Sequence, residues 1–222
     1  MKIKYFGHSN FLISSDCNII IDPFFTGNPF VDENEKDNVK PDIIIVTHAH
    51  ADHVGDTEYI AKKTNAIIIS NFEICNYFEK KGLKTHALHI GGKKTFPWGF
   101  IKLTPAFHGS SFADGSYGGS PAGVIVNIEG KSVYHAGDTG LSYEMKMLGE
   151  TNDIYVAMLP VGDNFTMGIE DAVKAAEWLR AKIVIPMHYN TFDLIKVNVE
   201  EFEYAFRHFR LEYMKSKEET TL

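Results

Sequence analysis

Residues 43–55 read IIIVTHAHADHVG, an apolar run followed at once by three histidines and an aspartate. The run is short and rich in β-branched residues, which indicates a buried strand, and the segment after Gly55 has the pattern of a short helix. Three imidazoles and one carboxylate are therefore delivered together at the carboxyl end of one strand. This stretch predicts a functional site at the edge of a sheet.

The donor groups in this turn are those that zinc and neighbouring divalent metals prefer. Because alternate residues of a tight turn can face the same way, we expect His48 and His50 to meet at one ion. Asp52 and His53 then point elsewhere, which predicts a second ion.

Three further candidate ligands lie later in the chain. His108, Asp138 and His188 each follow a segment with strand character. Ligands at equivalent ends of neighbouring strands converge on one cleft, the usual location of sites in sheet-based folds. Each of the three is weak evidence alone, since Asp138 lies in a Gly-Asp-Thr-Gly turn where Asp also forms local hydrogen bonds. The joint pattern predicts a metal centre.

The order of predicted elements divides the chain into two similar halves. Each half begins as an antiparallel meander and gives way to strand–helix units, which predicts helices outside two facing sheets. We predict helices over about residues 56–63, from 72 to before Gly82, and over 170–180 and 199–209, with loops at 23–41 and 109–120. The Gly- and Ser-rich second loop is expected to be the most mobile. Beyond residue 209 both a longer helix and a terminal strand remain open.

Composition and charge limit the class of protein. The chain has 222 residues, 44% hydrophobic and 23% charged, which is ordinary for a globular protein and predicts one domain over residues 1–222. Cys17 and Cys75 provide no disulfide framework and no metal-binding pair. A net charge of −7 argues against a nucleic-acid partner, since that role uses a concentrated basic stripe.

Signals for membrane insertion and export are also lacking in this sequence. No apolar run approaches the roughly 20 residues that span a bilayer, and the first residues lack the apolar region of a secretory signal. We therefore expect a cytoplasmic protein that acts on a small-molecule substrate without a membrane partner. A homo-oligomer remains open.

The candidate ligands resemble the full metal-ligand set of the metallo-β-lactamase superfamily, over almost the whole chain. The matching positions are His48-x-His50-x-Asp52-His53, then His108, Asp138 in His-Ala-Gly-Asp-Thr, and His188. Gly-His-Ser at 7–9, GDNFTMG at 162–168 and PMHYN at 186–190 are similar to the UPF0173 metal-dependent hydrolase branch, which is related to the ascorbate-phosphate lactonases. The resemblance implies an α+β fold, a four-layer αββα sandwich, and a hydrolase.

The resemblance also implies how the ligands divide between two divalent ions. One ion would be held by His48, His50 and His108, the other by Asp52, His53 and His188, with Asp138 as the bridge. Two such ions bind a bridging hydroxide, lower its pKa and stabilise the anion that forms when it attacks carbonyl carbon or phosphorus. We therefore predict a metal-dependent hydrolase of an ester, lactone or phosphodiester bond, in which Asp52 also orients the hydroxide.

Two other classes of protein remain open. A di-iron redox protein on this scaffold typically has Glu at the position of His50, and an inactive metal-binding protein would not need the carboxylates that position hydroxide. The metal is expected to be zinc, although manganese, nickel and iron suit the same donors. Substrate specificity is expected to lie in the loops at 23–40, 109–120 and 160–168.

Three residues near the ligands are further candidates. Asp22, in Ile-Asp-Pro, can accept a hydrogen bond from a ligand imidazole and fix its tautomer, or it can simply form an Asp-Pro turn. His8 and His135 can border the cleft and donate a proton to the leaving group, or they can be buried structural histidines.

Overall fold

The computed structural model describes residues 1–212 and 214–222, and it places two β-sheets face to face. Along the described chain the strands are β1 (Lys2–Tyr5), β2 (Phe11–Ser14), β3 (Ile19–Ile21), β4 (Ile43–Ile45), β5 (Ile67–Ser70), β6 (Thr85–Ala87), β7 (Lys93–Phe96), β8 (Gly99–Pro105), β9 (Ala122–Ile128), β10 (Lys131–His135), β11 (Ile154–Pro160), β12 (Ile183–Met187), β13 (Arg210–Leu211) and β14 (Glu219–Thr221). The first sheet has the order β14-β1-β2-β3-β4-β5-β6 and the second the order β13-β12-β11-β10-β9-β8-β7.

Helices cover the outer faces of the sheets. The α-helices of the described residues are α1 (Ala51–Val54), α2 (Thr57–Thr64), α3 (Phe72–Glu79), α4 (Glu144–Thr151), α5 (Ile169–Leu179) and α6 (Glu200–Ala205), and 3-10 turns occupy Glu33–Asp37 and Asp193–Ile195. Helices α2 and α3 pack on the first sheet, and α4 and α5 on the second. None of these helices has the length and apolar character that crossing a membrane requires. The predicted four-layer αββα sandwich is confirmed.

Strand β4 shows why its sequence is continuously apolar. Ile43 and Ile45 face the core between the sheets, whereas Ile44 faces the core beneath α2 and α3. A strand covered on both faces needs apolar residues at every position. Burying one isoleucine side chain completely stabilises the fold by about 1.5–3 kcal/mol relative to leaving it exposed. The buried strand therefore holds the turn that follows it, with its histidines, in a fixed position.

Strand direction brings the candidate residues to one edge of each sheet. In the first sheet β1, β3 and β4 run the same way, because β2 is antiparallel to both β1 and β3, and β3 is parallel to β4. In the second sheet β8, β10 and β12 also run one way. The turns after these strands therefore lie side by side within each sheet.

Several predicted elements differ from the observed ones. The loop at 23–41 is not merely a surface segment, because Phe25 and Val39 are buried against the first sheet. The loop at 109–120 is anchored, since Phe112 is buried and stacks on Tyr77 with ring centres 4.0 Å apart. Its expected mobility stays a prediction.

Two differences concern the helices. Helix α4 has no counterpart in the sequence prediction, and it contains Gly149. A Cβ there would lie 2.1 Å from the carbonyl oxygen of Trp178, so glycine allows α4 to approach α5 closely. The tail helix is shorter than predicted, and two short strands follow it: β13 extends the second sheet and β14 the first.

Candidate metal centre

Six chain segments converge where the two sheets meet. The first sheet contributes the turn after β1 with His8, the turn after β3 with Asp22, and the turn after β4 with His48, His50, Asp52 and His53. The second sheet contributes His108 after β8, Asp138 after β10 and His188 after β12. The structure therefore brings together every metal ligand that the sequence predicts.

His48, His50 and His108 form the first ligand group. One ring nitrogen from each lies within 4.8 Å of those of the others, and His48 Nε2 is 3.1 Å from His50 Nδ1. Burial, and then the charge of His53, holds the pKa of His48 well below its ordinary value. The imidazole is therefore neutral, which is the form that binds metal.

Asp52, His53 and His188 form the second ligand group. Asp52 Oδ2 lies 3.9 Å from His53 Nε2 and 4.0 Å from His188 Nε2. The donor atoms of this group also lie within 4.8 Å of one another and of a ring nitrogen of His8. This set of one carboxylate and two imidazoles is a typical environment for zinc.

Asp138 lies between the two groups. Its Oδ2 is 3.5 Å from His108 Nε2 and 2.9 Å from His188 Nε2, and its Oδ1 is 3.4 Å from His53 Nε2. It is 3.9 Å from His48 Nε2. One buried carboxylate therefore contacts imidazoles of both groups.

Unsatisfied buried atoms test whether these residues fit a metal. Among the described residues, His53 Nε2, Asp138 Oδ1 and both ring nitrogens of His188 are buried and make no hydrogen bond of good geometry, although the carboxylate and the two imidazoles lie close together. Leaving such atoms unsatisfied costs roughly 1–3 kcal/mol each, and native proteins rarely concentrate them. Coordination to a divalent cation uses these same donors, so the residues fit metal ions.

The electrostatics of the centre also favour cations. Burial opposes ionisation of Asp138, but His53 and His188 outweigh it and hold the pKa of its carboxyl well below the usual range. Burial lowers the pKa of His53, but the surrounding carboxylates, Asp138 and Asp22 first, raise it well above its ordinary value. A divalent ion that binds His53 therefore displaces a proton, as metal binding to protein ligands generally does.

Asp22 supports ligands of both groups from a fully buried position. It accepts hydrogen bonds from His53 Nδ1 at 2.7 Å and from the Thr47 hydroxyl at 2.7 Å. Because that hydroxyl donates to Asp22, it accepts from His48 Nδ1 at 3.0 Å. Both imidazoles thus carry their proton on Nδ1 and direct Nε2 at the centre. The predicted hydrogen bond of Asp22 to an imidazole is present.

His8 lies inside the centre and not merely at its border. Its Nε2 donates to Asp52 Oδ2 at 3.0 Å, and its Nδ1 accepts from the Thr191 hydroxyl at 2.7 Å. Its carbonyl oxygen accepts from the backbone N–H of His188 at 2.8 Å. Burial, and then the charge of His188, lowers the pKa of His8 to about 4. His8 therefore links the two sheets as an uncharged group.

His135 takes the structural alternative that the sequence left open. It is fully buried, its Nε2 donates to the carbonyl of Ser9 at 2.9 Å, and its Nδ1 accepts from the N–H of Gly137 at 3.1 Å. Both ring nitrogens are committed to backbone groups. We therefore assign His135 to holding the two sheets together and not to donating a proton in the cleft.

Three residues of the centre have an unusual backbone geometry. His8, Asp22 and His188 have φ angles of +58°, +47° and +54°, in the left-handed region that non-glycine residues seldom adopt. Gly55 has φ +42°, and a Cβ there would lie 2.4 Å from the carbonyl oxygen of Pro23. Strained residues of this kind persist where the surrounding contacts hold them, which is common at functional sites.

Comparison with known proteins identifies the family. The Beta-lactamase superfamily domain matches residues 2–188. A UPF0173 metal-dependent hydrolase of Geobacillus sp. (strain WCH70) is 53% identical over 207 residues, covering 91% of each chain. YtkL of Bacillus subtilis (strain 168), a UPF0173 metal-dependent hydrolase, is 52% identical over 208 residues, also covering 91% of each chain.

The fold is shared with solved structures. Igni18, a metallo hydrolase from the hyperthermophilic archaeon Ignicoccus hospitalis, superposes with a TM-score of 0.92 at 40% identity, covering 100% of this chain and 97% of Igni18. The ligand motif, the two facing sheets and these similarities all indicate the same family. The chain belongs to the beta-lactamase superfamily, among the UPF0173 metal-dependent hydrolases.

Proposed function

We propose that this protein is a dinuclear zinc hydrolase that cleaves an ester, lactone or phosphodiester bond in a small cytoplasmic substrate. The observation that carries the proposal is the position of Asp138, whose carboxylate contacts histidines of both ligand groups. A carboxylate shared in this way suits a pair of cations, the arrangement used by many hydrolases.

The side chains of the centre have separate roles in this proposal. The first ligand group would hold one ion and the second group the other, and Asp138 lies within reach of both groups. When bound, such a pair supplies Lewis acidity and activates water at neutral pH. The side chain of Asp52 is 26% exposed, so it faces the cleft where water and substrate enter.

Asp52 orients the attacking water, and His8 orients Asp52. Burial opposes ionisation of Asp52, but His53 and His8 outweigh it and hold the pKa of this carboxyl far below its usual range. The ionised group accepts a hydrogen bond from water. His8 holds Oδ2 of that group, and with both its ring nitrogens engaged it acts as a positioning residue, not as the acid that protonates the leaving group.

The proposal is tested by metal analysis and turnover on the same sample. Protein purified without chelator is expected to contain two zinc ions per chain and to hydrolyse members of a panel of lactones, esters and phosphodiesters. His50→Ala removes one donor of the first ligand group, so zinc content and turnover should both fall. His89→Ala changes an exposed histidine outside the centre and serves as the control.

Three outcomes would contradict the proposal. A His50→Ala protein that keeps its full metal content and full turnover would separate the ligand groups from catalysis. Iron with redox activity and no hydrolysis would favour the di-iron class. Tightly bound metal without turnover of any substrate would favour a binding protein.

A further inference from the structure

Exposed apolar side chains lie in the segments that follow three strands of the second sheet, at the edge that also carries His108 and His188. Phe107 follows β8, Phe165 follows β11, and Phe192 and Leu194 follow β12. Their exposed fractions are 59%, 50%, 39% and 66%. We call these four residues the apolar rim. Large apolar groups exposed next to one another mark binding surfaces more often than isolated ones do.

Hydrogen bonds and close packing join the loops that carry the rim. The N–H of Phe107 donates to the Thr139 hydroxyl at 3.0 Å, and the N–H of Met167 donates to the Thr139 carbonyl at 3.0 Å. Gly162 lies so close to Ile195 that a Cβ would be 2.9 Å from the Ile195 side chain. The loops that carry the rim are therefore held next to one another at this edge of the second sheet.

Phe192 connects the rim to the metal centre. Its ring meets the ring of His8 edge to face, with centres 5.3 Å apart. His8 in turn holds Asp52. Part of the Phe192 ring remains exposed, so aromatic surface is available to a substrate one residue away from Asp52.

The segments around the centre carry almost no basic side chains. Residues 6–10, 22–28, 47–56, 105–120, 136–143, 160–168 and 188–196 contain a single lysine or arginine, Lys196. The ammonium of Lys196 is bound to Asp193 at 2.8 Å. Lys36, from the neighbouring 3-10 turn, is bound to Asp56 at 3.2 Å. Sites that recognise phosphate usually add arginine or lysine to the metal, and these segments offer no unpaired one.

We propose that the substrate is an uncharged carboxylic ester or lactone whose apolar group binds on the apolar rim. This inference rests on the function proposed above and narrows it, because it excludes the phosphodiester. The water oxygen bonds to the carbonyl carbon, the bond from that carbon to the alkoxy oxygen breaks, and the alkoxy oxygen leaves with a proton. One proton of the water goes to the alkoxy oxygen and the other to solvent, so the products are a carboxylate and an alcohol, which stay in one molecule when the substrate is a lactone.

Kinetics with matched leaving groups test the inference on the zinc-loaded protein. The probes are p-nitrophenyl acetate, butyrate and octanoate, together with bis(p-nitrophenyl) phosphate. We expect kcat/KM to rise roughly tenfold from acetate to butyrate, the scale expected for burying two methylenes, and to be lowest for the phosphodiester. Phe165→Ser and Leu194→Ser should raise KM for octanoate several-fold and change KM for acetate much less, so that the dependence on chain length is lost.

Tyr204→Ser is the control, since Tyr204 is 73% exposed on α6, outside the rim. A binding measurement without turnover separates this inference from the proposed function. Octanamide should bind more tightly than acetamide by calorimetry, and the rim variants should remove the difference.

The outcomes are distinguishable. If octanamide binds on the rim but neither the esters nor the phosphodiester is cleaved, the proposed function fails and the apolar site stands. If esters are cleaved with no dependence on chain length, or the phosphodiester is preferred, the apolar site fails and the hydrolase stands. If the rim variants change the sedimentation of the protein and not its kinetics, the rim is an interface between copies, which also overturns the inference.

Discussion

The two ligand groups differ in how their side chains are held. In the second group His53 is bound to the buried carboxylate of Asp22, and Asp52 is held by His8. In the first group, His50 and His108 are partly exposed, and within the described residues no carboxylate outside the ligand set forms an ion pair with either ring. The second group is therefore prearranged by its neighbours, whereas the first is the open side that can adjust to substrate.

The two groups differ only in how firmly their imidazoles are held, because Asp22 supports a ligand in each of them. Asp22 contacts His53 directly but reaches His48 only through the hydroxyl of Thr47. Partners that fix a ligand imidazole commonly contribute about 10–100-fold in metal affinity. Stepwise metal binding should therefore reveal the asymmetry.

Asp22→Asn is expected to have the largest effect on this asymmetry. Asparagine tolerates the left-handed backbone at this position, but its amide cannot replace both carboxylate oxygens as an acceptor. Affinity for the ion of the second group should fall by about 10–100-fold, with a smaller loss at the first group. Zinc titration against a chromophoric chelator measures both steps.

Thr47→Val is the matched control, because it removes only the hydroxyl that connects Asp22 to His48. It should weaken the first group more than the second, the reverse of Asp22→Asn. Equal losses at both steps in both variants would mean that the two groups are not held independently.

His8→Ala is expected to have a smaller effect on metal affinity and a clear effect on kcat. Asp52 stays within reach of the ion but loses the donor that fixes Oδ2. Turnover should fall about tenfold, the scale of one hydrogen bond to a charged group, with KM little changed. His8→Gln, which keeps a side-chain N–H, should recover part of the loss, whereas a purely structural role predicts no recovery.

The sequence allowed the ligand set to be predicted because its cause is local. Imidazoles and carboxylates clustered at the ends of apolar strands commonly bind metal ions. The spacing in His48-x-His50-x-Asp52-His53 is set within a single turn. The later ligands needed only the rule that parallel strands end at the same edge. The resemblance to a known family then supplied the division between two ions.

The features that were not predicted depend on contacts between distant segments. His8 meets Asp52 and Thr191 only after three separate turns have packed together. Strand β14 pairs with β1 from the opposite end of the chain, and that register leaves no local signal. The close approach that requires Gly149 in α4 is likewise a property of the packed helices.

His135 shows how burial affects the pKa of a histidine in this protein, because it is buried but is not one of the candidate ligands. Burial lowers the pKa of His135, whereas Asp22 and the hydrogen bond to Ser9 raise it. The effect of burial is the larger, so the pKa lies below its ordinary value of 6.5. The unfolded chain therefore binds a proton that the folded protein does not as pH falls through 6.5. His135 therefore lowers the free energy of unfolding below about pH 6.5 and has no effect on it well above that pH.

His135→Gln keeps a side-chain donor and acceptor but cannot titrate. In metal-free protein, the free energy of unfolding, measured by urea denaturation, should fall less steeply below pH 6.5 in this variant than in the parent. Part of the remaining slope then belongs to His8 and His48, whose pKa values burial also lowers. Zinc should make the slope steeper, because the ligand imidazoles of the folded protein then bind metal in place of protons while the unfolded chain still takes up protons. An unchanged slope in His135→Gln would show that His135 is protonated in the folded state, which would contradict its assignment as a neutral structural residue.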